Sequence, residues 1–419
     1  MARPAVISRD DAAARDAADP LASFRDRFEL GAGRRIYVDG NSLGPLSHGA
    51  REALDRRVGE WRDRLVTGWH DWIELPTRVG DVLGRAALGA AHGQVLVCDS
   101  TTVNMYKLAA AALAERPGAI VADAGDFPTD RYVLQGLAEQ TGNELRMLDA
   151  DPVEGPQPAD VATACRGGAA LVVLSAVNYR SGALADLAAV TAAAHEAGAR
   201  MLWDLCHAAG AVEIGLDAIG ADLAVGCTYK YLNAGPGAPA YLYVRSDLQA
   251  ELRSPIWGWF AQADQFAMGP RFDPVPGIGR FLAGTPPVLG LAAVEAGSAM
   301  LAEAGIEAVR RKGADLTAFA VDLLDERLAP LGFRLGTPRD PARRGAHVSL
   351  RHPDGWRICR ALIDEAEVIP DFRGPDSIRF GLSPLCTRFV DVWDAVDRLA
   401  AIVESGAQER IGPARARVT

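Results

Sequence analysis

Short apolar runs alternate with helical segments through the middle of the chain. The apolar runs lie at residues 94–99, 119–124, 144–149, 170–177, 199–205, 222–227 and 240–244. Between several of them, apolar residues recur every three or four positions, as in amphipathic helices. Apolar strands that alternate with helices are typical of a mostly parallel sheet covered on both faces. The pattern therefore predicts an α/β fold with a mostly parallel, seven-stranded sheet in a large domain, residues 67–290.

The pattern changes on either side of this domain. After it come two predicted helices, 288–304 and 306–328, then short strands and a last helix from about residue 390. This order indicates a smaller C-terminal α+β domain with an antiparallel sheet, residues 291–419. Residues 1–66 are predicted to form an N-terminal arm, loosely packed to about residue 30, and a helix; this segment packs with the small domain.

Composition narrows the classes of partner. The 419 residues carry a net charge of −10, which argues against a nucleic-acid backbone or an anionic membrane as partner. The six cysteines form no C-x-x-C pair and no histidines have zinc spacing, so no metal site is predicted. The first twenty residues carry acids and lack the apolar core of a signal peptide. We therefore expect a reduced, cytoplasmic protein with a small-molecule partner.

Lysine is rare, which limits the candidates for amine chemistry. The chain has only three lysines among its 44 basic residues. Lys107 lies in the middle of a predicted helix and Lys312 follows two arginines in another, so both are expected to face solvent. Lys230 comes just after the buried strand 222–227, where a lysine is unusual. Lys230 is therefore the predicted chemical lysine.

Other polar residues follow neighbouring strands, where binding sites of such sheets lie. Thr101 and Thr102 open a helix, and hydroxyls with free N–H groups at a helix start can cradle an anion. Asp204 ends a strand, and His207 follows it. Each feature alone also fits ordinary helix or turn capping, and the glycine motifs of nucleotide-binding loops are missing from the sequence.

Taken together, these residues match the parts of a pyridoxal 5'-phosphate site. Lys230 would carry the cofactor as a Schiff base. Asp204 would pair with the pyridinium nitrogen and keep the ring an electron sink. Tyr229 and the helix start at Thr101 and Thr102 would hold the phosphate.

The chain also contains a set of longer motifs between Tyr37 and Val392. They are YVDGNSLGP (37–45), WIELPTRVGD (72–81), TTVN (101–104), FPTDRY (127–132), LSAVNYRSG (174–182), WDLCHAAGA (203–211), CTYKYLNAGPG (227–237), GWF (258–260), GTPP (284–287) and FRGPDSIRFG (372–381). With these motifs the chain resembles the kynureninases, which are fold type I pyridoxal phosphate enzymes. The resemblance covers most of the chain.

The resemblance implies roles for individual residues. The residues implied to bind the cofactor are Thr101, Thr102, Phe127, Pro128, Thr129, Asp130, Ser175, Asp204, His207, Tyr229, Lys230, Trp259 and Thr285. Of these, Trp259 and Thr285 are implied to reach a phosphate of the other subunit, because family members are dimers with shared active sites. The residues implied to bind substrate are Asn41, Trp69, Gly284 and Arg379, with Arg379 gripping the α-carboxylate as a bidentate fork.

The activity implied is hydrolysis of the Cβ–Cγ bond of L-kynurenine to anthranilate and L-alanine, as in tryptophan catabolism or NAD biosynthesis. Lys230, Tyr229 and Asp204 are the implied catalytic residues. Trp69 and Gly284 favour kynurenine over 3-hydroxykynurenine, which is expected to react more weakly. Gln262 stands where many relatives have histidine, which leaves the recognition of the aryl ring open.

Three alternatives remain at this point. The first is a kynureninase-like enzyme that acts on a substituted aryl-keto amino acid of secondary metabolism. The second is another fold type I lyase, such as a cysteine desulfurase, which needs a nucleophilic cysteine on a mobile loop; Cys359 and Cys386 lack such a context. The third is a non-catalytic relative that acts as a binding or scaffold protein, which the retained Lys230, Asp204 and Arg379 argue against.

Overall fold

The computed structural model describes residues 7–31 and 33–412. The helices are α1 Arg9–Ala17, α2 His48–Arg64, α3 Trp69–Trp72, α4 Leu75–Leu83, α5 Thr101–Glu115, α6 Pro128–Thr141, α7 Pro158–Ala164, α8 Leu187–Glu196, α9 Val288–Ala304, α10 Ile306–Leu323, α11 Gly355–Ala366 and α12 Phe389–Glu404. The strands are β1 Ile36–Tyr37, β2 Val95–Val97, β3 Ile120–Asp123, β4 Leu145–Leu148, β5 Leu171–Ser175, β6 Arg200–Asp204, β7 Leu223–Gly226, β8 Tyr241–Val244, β9 Arg334–Leu335, β10 His347–Arg351, β11 Val368–Ile369, β12 Asp371–Arg373 and β13 Ser377–Gly381.

A seven-stranded sheet forms the centre of the molecule, in the order β2-β8-β7-β6-β5-β3-β4. The five strands from β7 to β4 run parallel, and β8 is antiparallel to both of its neighbours. Apolar side chains on both faces explain why the strands are continuous apolar runs. On β6, for example, Met201 and Trp203 pack into one apolar cluster and Leu202 into another. The predicted mostly parallel, helix-covered sheet is confirmed.

A second sheet lies in the C-terminal part of the chain. It is antiparallel, in the order β12-β13-β10-β9, as predicted. Val348 and Leu350 of β10 and Ile378 and Phe380 of β13 pack into a separate apolar cluster with α10, α11 and α12. The register places Asp371 of β12 opposite Arg379 of β13, which brings their side chains to one place.

The N-terminal segment is tightly packed, so the prediction of a loose arm is wrong for its described residues. Helix α1 lies against α12, and Ala12 is completely buried. Asp16 accepts hydrogen bonds from the first N–H groups of α12, Phe389 and Val390, at 2.7 and 3.1 Å. A carboxylate at a helix start satisfies N–H groups that lack a partner within the helix. The boundaries at 66/67 and 290/291 stay predictions.

Helices α9 and α10 follow each other directly along the chain. Gly305 separates them, and the chain bends by 83° there. No single helix in residues 7–31 and 33–412 is long and apolar enough to cross a membrane.

Candidate active site

A cavity of about 470 Å³ lies at the carboxyl ends of the central strands. It is lined by Asn41, Ser42, Asp99, Ser100, Thr101, Thr102, Phe127, Thr129, Asp130, Ser175, Tyr179, Asp204, Cys206, His207, Tyr229, Lys230, Gly237, Ala238, Ala240, Arg373 and Arg379. We call the side formed by Thr101, Ser175, Asp204, His207 and Lys230 the strand-end wall. It lies where a parallel sheet places residues that follow successive strands.

Most of the predicted site residues meet at this cavity. Those that line it are Asn41, Thr101, Thr102, Phe127, Thr129, Asp130, Ser175, Asp204, His207, Tyr229, Lys230 and Arg379. Pro128 starts α6 between two of them. Trp69, Trp259, Gly284 and Thr285 lie outside the cavity of the single chain.

Lys230 lies in the loop after β7, against the segment that holds Asn41. The N–H of Gly44 donates to the carbonyl of Tyr229 at 2.7 Å. A Cβ at residue 44 would collide with the carbonyl of Lys230, so only glycine permits this approach. Lys230 Nζ lies 3.2 Å from His207 Nε2. Burial and the charge of Lys230 hold the pKa of His207 well below its usual range, which keeps the imidazole neutral.

Two carboxyl groups meet behind the lysine. Asp204 ends β6, and its Oδ1 accepts from the N–H of Cys206 at 2.8 Å. Asp130 of α6 is buried, and neither of its oxygens accepts a hydrogen bond from a described residue. Burial and the charge of Asp204 raise the pKa of Asp130 well above its usual range. This pair can hold one proton and one negative charge, which suits a ring nitrogen that carries a proton.

The start of α5 also lines the cavity. Ser100 caps the helix by accepting from the N–H of Val103 at 3.4 Å. Thr102 Oγ1 lies 3.4 Å from Thr129 Oγ1, and Thr101 Oγ1 lies 3.7 Å from Cys206 Sγ. The hydroxyls and the N–H groups of the first helical turn make a cradle for an anion.

Arg379 is almost completely buried, and its guanidinium is held in place by its partners. Its Nε donates to Asp371 Oδ1 at 2.7 Å and its Nη2 to the second carboxylate oxygen, which makes a bidentate pair. Its Nη1 donates to the carbonyl of Tyr179, and Nη2 lies 3.3 Å from Ser42 Oγ. The guanidinium therefore has a fixed orientation at the edge of the cavity.

Several lining residues were not singled out in the sequence. They are Ser42, Asp99, Ser100, Tyr179, Cys206, Gly237, Ala238, Ala240 and Arg373. Arg373 Nη2 lies 2.8 Å from Asp371 Oδ2, so this carboxylate binds two arginines. Asp39 lies nearby, and burial together with the charge of Asp371 raises its pKa to about 7. Five of them, Ser42, Tyr179, Cys206, Gly237 and Arg373, lie in the motifs quoted above, which is the signal that the sequence offers.

The other two lysines are buried, so the prediction that they face solvent is wrong. Lys107 has no exposed surface and pairs with Asp99 at 2.7 Å. Lys312 pairs with Asp19 at 2.6 Å, and both side chains are buried. The helical pattern does not reveal this burial, because the partners, Asp99 and Asp19, lie outside the helices that carry the two lysines.

A second, open depression of about 680 Å³ lies beside Trp69 and Thr285. We call it the aromatic groove; it is lined by Arg57, Trp61, Leu65, Val66, Trp69, Trp72, Thr285, Pro286, Pro287, Val288, Leu289 and Gly290. The Trp69 ring lies 5.7 Å from Trp72 and 6.0 Å from Phe260, between centroids. Gln262 lies apart from both sites and accepts from the N–H of Asp273 at 2.7 Å.

The cavity fits a phosphorylated aromatic cofactor. The amide of Asn41 is buried and has no hydrogen-bond partner among the described residues, as expected of a group that faces a ligand. An amine, a pair of carboxyls and an anion cradle surround one space. These are the groups that pyridoxal 5'-phosphate requires for its aldehyde, ring nitrogen and phosphate.

Comparison with known proteins agrees with this geometry. Residues 309–399 match the model of the family described as kynureninase C-terminal domain. The kynureninase of Burkholderia pseudomallei (strain 1106a) is 43% identical over 411 residues, which cover 96% of each chain. Among solved structures, the apo cysteine desulfurase of Thermococcus onnurineus NA1 has a TM-score of 0.79 at 19% identity, over 91% of this chain and 98% of that one. A C-DES mutant with glycine covalently linked to its PLP cofactor has a TM-score of 0.77 at 19% identity, covering 90% and 98%.

Proposed function

The chain belongs to the kynureninase family, and we propose that it hydrolyses the Cβ–Cγ bond of L-kynurenine to anthranilate and L-alanine. The observation that carries this proposal is the single cavity in which Lys230, Asp204, the α5 cradle and Arg379 meet. Water supplies the oxygen of the new anthranilate carboxylate, and the carbon that leaves the ketone is protonated to give the methyl group of alanine.

Pyridoxal 5'-phosphate is the cofactor. Lys230 would hold it covalently through Nζ, and Asp204 would face its ring nitrogen. Thr101, Thr102 and Tyr229 would hold its phosphate, beside Ser100 and the first N–H groups of α5. When bound, this group withdraws electrons from the α-carbon of an amino acid.

Proton transfer is assigned to two side chains. Lys230 Nζ takes the proton from the α-carbon of the substrate. The imidazole of His207 beside it is neutral, so it places no positive charge next to the lysine that accepts this proton. Burial raises the pKa of Tyr229, so its phenol keeps its proton near neutral pH. Tyr229 can therefore donate that proton to the product carbon and regain it from solvent.

Substrate orientation is assigned to Arg379 and Asn41. Arg379 would bind the α-carboxylate with the donors that Asp371 and Tyr179 leave free, and Asn41 would contribute its unpaired amide. Because Asp371 fixes the guanidinium, little ordering is required when the substrate binds.

A second copy of the chain is proposed to complete the site. Trp69, Trp259, Gly284 and Thr285 lie outside the cavity of one chain, and Trp259 is 47% exposed. In a homodimer these residues would reach the partner's cavity, with Trp259 and Thr285 at its phosphate. The bulk of Trp69 would then leave less room for a ring hydroxyl and favour kynurenine over 3-hydroxykynurenine.

The alternatives have less support. A cysteine desulfurase needs an accessible nucleophilic thiol, but all six cysteines are buried, and burial raises the pKa of Cys359. The solved desulfurases share only the fold at 19% identity. A kynureninase 43% identical over nearly the whole chain favours kynurenine itself over a substituted aryl-keto amino acid.

Anthranilate fluorescence tests the proposal directly. The cofactor-loaded protein is mixed with L-kynurenine, and anthranilate and alanine are both quantified. We expect equal amounts of both products, faster turnover than with 3-hydroxykynurenine, and no turnover in a Lys230→Ala variant. Faster turnover of 3-hydroxykynurenine would overturn the role of Trp69. No products from either substrate, with cofactor bound, would overturn the proposed activity.

A further inference from the structure

Lys107 is a completely buried cation that the reaction itself does not use. Its Nζ lies 2.7 Å from Asp99 Oδ2, 2.7 Å from the carbonyl of Phe281 and 3.5 Å from Cys98 Sγ. A buried ammonium is costly unless it is paired, so a lysine at this position requires these contacts. Lys107 is one of only three lysines in a chain whose other basic residues are arginine.

Asp99 places a negative charge at the anion cradle. It directly precedes Ser100 and Thr101, and it lines the cavity with a side chain that is 30% exposed. Its φ of +50° is rare for a residue other than glycine. An uncompensated carboxylate here would repel a phosphate, because like charges a few ångströms apart interact strongly in a partly buried site.

We propose that Lys107 is a positioning residue that neutralises Asp99 from beneath and so allows the cradle to accept the cofactor's phosphate. Lys107 lines no part of the cavity, so it acts through Asp99 and not by contact with the cofactor. Its second bond, to the Phe281 carbonyl, ties the turn at Asp99 to the segment that leads to Gly284 and Thr285. The proposal takes the cofactor from the proposed function but does not depend on the substrate.

Lys312 provides a matched control. It is also a buried helical lysine in an ion pair, with Asp19 at 2.6 Å and exposures of 6% and 4%. Neither residue lines the cavity. Lys312→Met should therefore destabilise the fold to a similar extent without changing the charge at the cradle.

The experiment measures equilibrium binding to the cofactor-free proteins. Pyridoxal 5'-phosphate and pyridoxal, which lacks the phosphate, are titrated into the wild type, Lys107→Met, Asp99→Asn, the double variant and Lys312→Met. Lys107→Met is expected to weaken pyridoxal 5'-phosphate binding by about tenfold or more, equivalent to about 1.4 kcal/mol. Pyridoxal binding should change by less than about threefold. The double variant should bind pyridoxal 5'-phosphate within about threefold of the wild type, and Lys312→Met should match the wild type.

Three results would overturn the proposal: no recovery in the double variant, an equal loss for pyridoxal, or an equal loss in Lys312→Met. If Lys107→Met does not fold, Asp99→Asn alone still tests the proposal. It removes the negative charge while Lys107 keeps its bond to Phe281, so pyridoxal 5'-phosphate should bind more tightly, and weaker or unchanged binding would contradict the proposal. Because no substrate is used, the binding result can be interpreted even if the protein does not cleave kynurenine.

Discussion

The strand-end wall and the aromatic groove are built in opposite ways. In the wall, polar side chains are buried or half-buried and most have partners within the same chain, such as Asp204 with the N–H of Cys206. In the groove, apolar side chains are exposed: Val66 is 75% exposed and Leu65 is 64% exposed. A buried polar group without a partner is costly, and so is an open apolar surface. All five residues of the wall therefore come from one chain, whereas the groove is the kind of surface that another chain covers.

This difference assigns separate tasks to the two regions. The wall follows from the sheet, because parallel strands place their ends at one edge. Its Lys230 and Asp204 are proposed to hold the cofactor, whereas Trp259 and Thr285 of a second chain are proposed to reach the phosphate. The groove carries Trp69 and Thr285, for which we propose contacts in the partner's site. Substitutions in the wall should then change chemistry in an intact assembly, and substitutions in the groove should change the assembly first.

The largest expected effect is in the wall. Asp204→Asn keeps the shape and the hydrogen bond from Cys206 but removes the negative charge proposed to face the ring nitrogen. We expect kcat to fall by about 10²- to 10⁴-fold, the range usual for losing a group that controls protonation. The measurement is anthranilate release at saturating cofactor, together with the mass of the assembly in solution. A loss below about tenfold would mean that Asp130 carries the charge instead.

In the groove, a substitution should change the assembly before it changes the chemistry. Val66→Glu places a charge on a residue that is mostly exposed in one chain, where a substitution alone costs little. If a second chain covers the groove, the charge is buried in the dimer, and the dimer dissociation constant should rise by about 100-fold or more. Light scattering across a dilution series measures this.

A matched control for the groove is Met147→Glu. Met147 is also exposed, but it lies on β4, the strand at the far edge of the central sheet. This variant should assemble like the wild type. An unchanged dimer in Val66→Glu, or equal dissociation in both variants, would remove the groove from the proposed interface.

Arg379 belongs to neither region and should give a smaller effect. Arg379→Lys cannot keep both bonds to Asp371 and also reach the carbonyl of Tyr179. We expect KM for kynurenine to rise by about tenfold with kcat changed much less, because the substrate binds less tightly before and during reaction. Initial rates over a range of kynurenine concentrations separate the two constants. A fall in kcat with unchanged KM would place Arg379 in the chemical step.

The sequence predicted what depends on strand order and missed which side chains pair with each other. Asp204 and Lys230 could be assigned because residues that follow parallel strands converge. The Asp371–Arg379 pair depends on the register of β12 and β13, which the sequence does not state. The helical pattern predicts an exposed Lys107, because its partners, Asp99 and the Phe281 carbonyl, lie outside the helix that carries it. The α/β architecture and the cofactor follow from the pattern and the motifs, whereas these contacts depend on the three-dimensional fold.

The smallest expected effect on catalysis concerns a buried carboxyl behind the wall, whose titration should change stability instead. Asp126 accepts from the N–H of Ser175 at 3.3 Å, and burial with the charge of Asp123 raises its pKa to about 8. In the unfolded chain an aspartate loses its proton near pH 4. The folded state therefore binds more protons between about pH 4 and pH 8, and stability from this group is lost as pH rises through that window.

Asp126→Asn keeps the acceptor for Ser175 and removes the titration. The difference in unfolding free energy, wild type minus variant, should fall from pH 5 to pH 8, by at most about 1.4 kcal/mol per pH unit. Urea unfolding at constant protein concentration measures this difference. Asp151 is the control, because hydrogen bonds from the N–H groups of Glu154 and Val153 lower its pKa, so it is ionised in both states over this range and Asp151→Asn should give a flat difference. A flat difference for Asp126→Asn as well would mean that this carboxyl is already ionised in the folded protein, and that the wall tolerates a buried charge that its own hydrogen bonds do not balance.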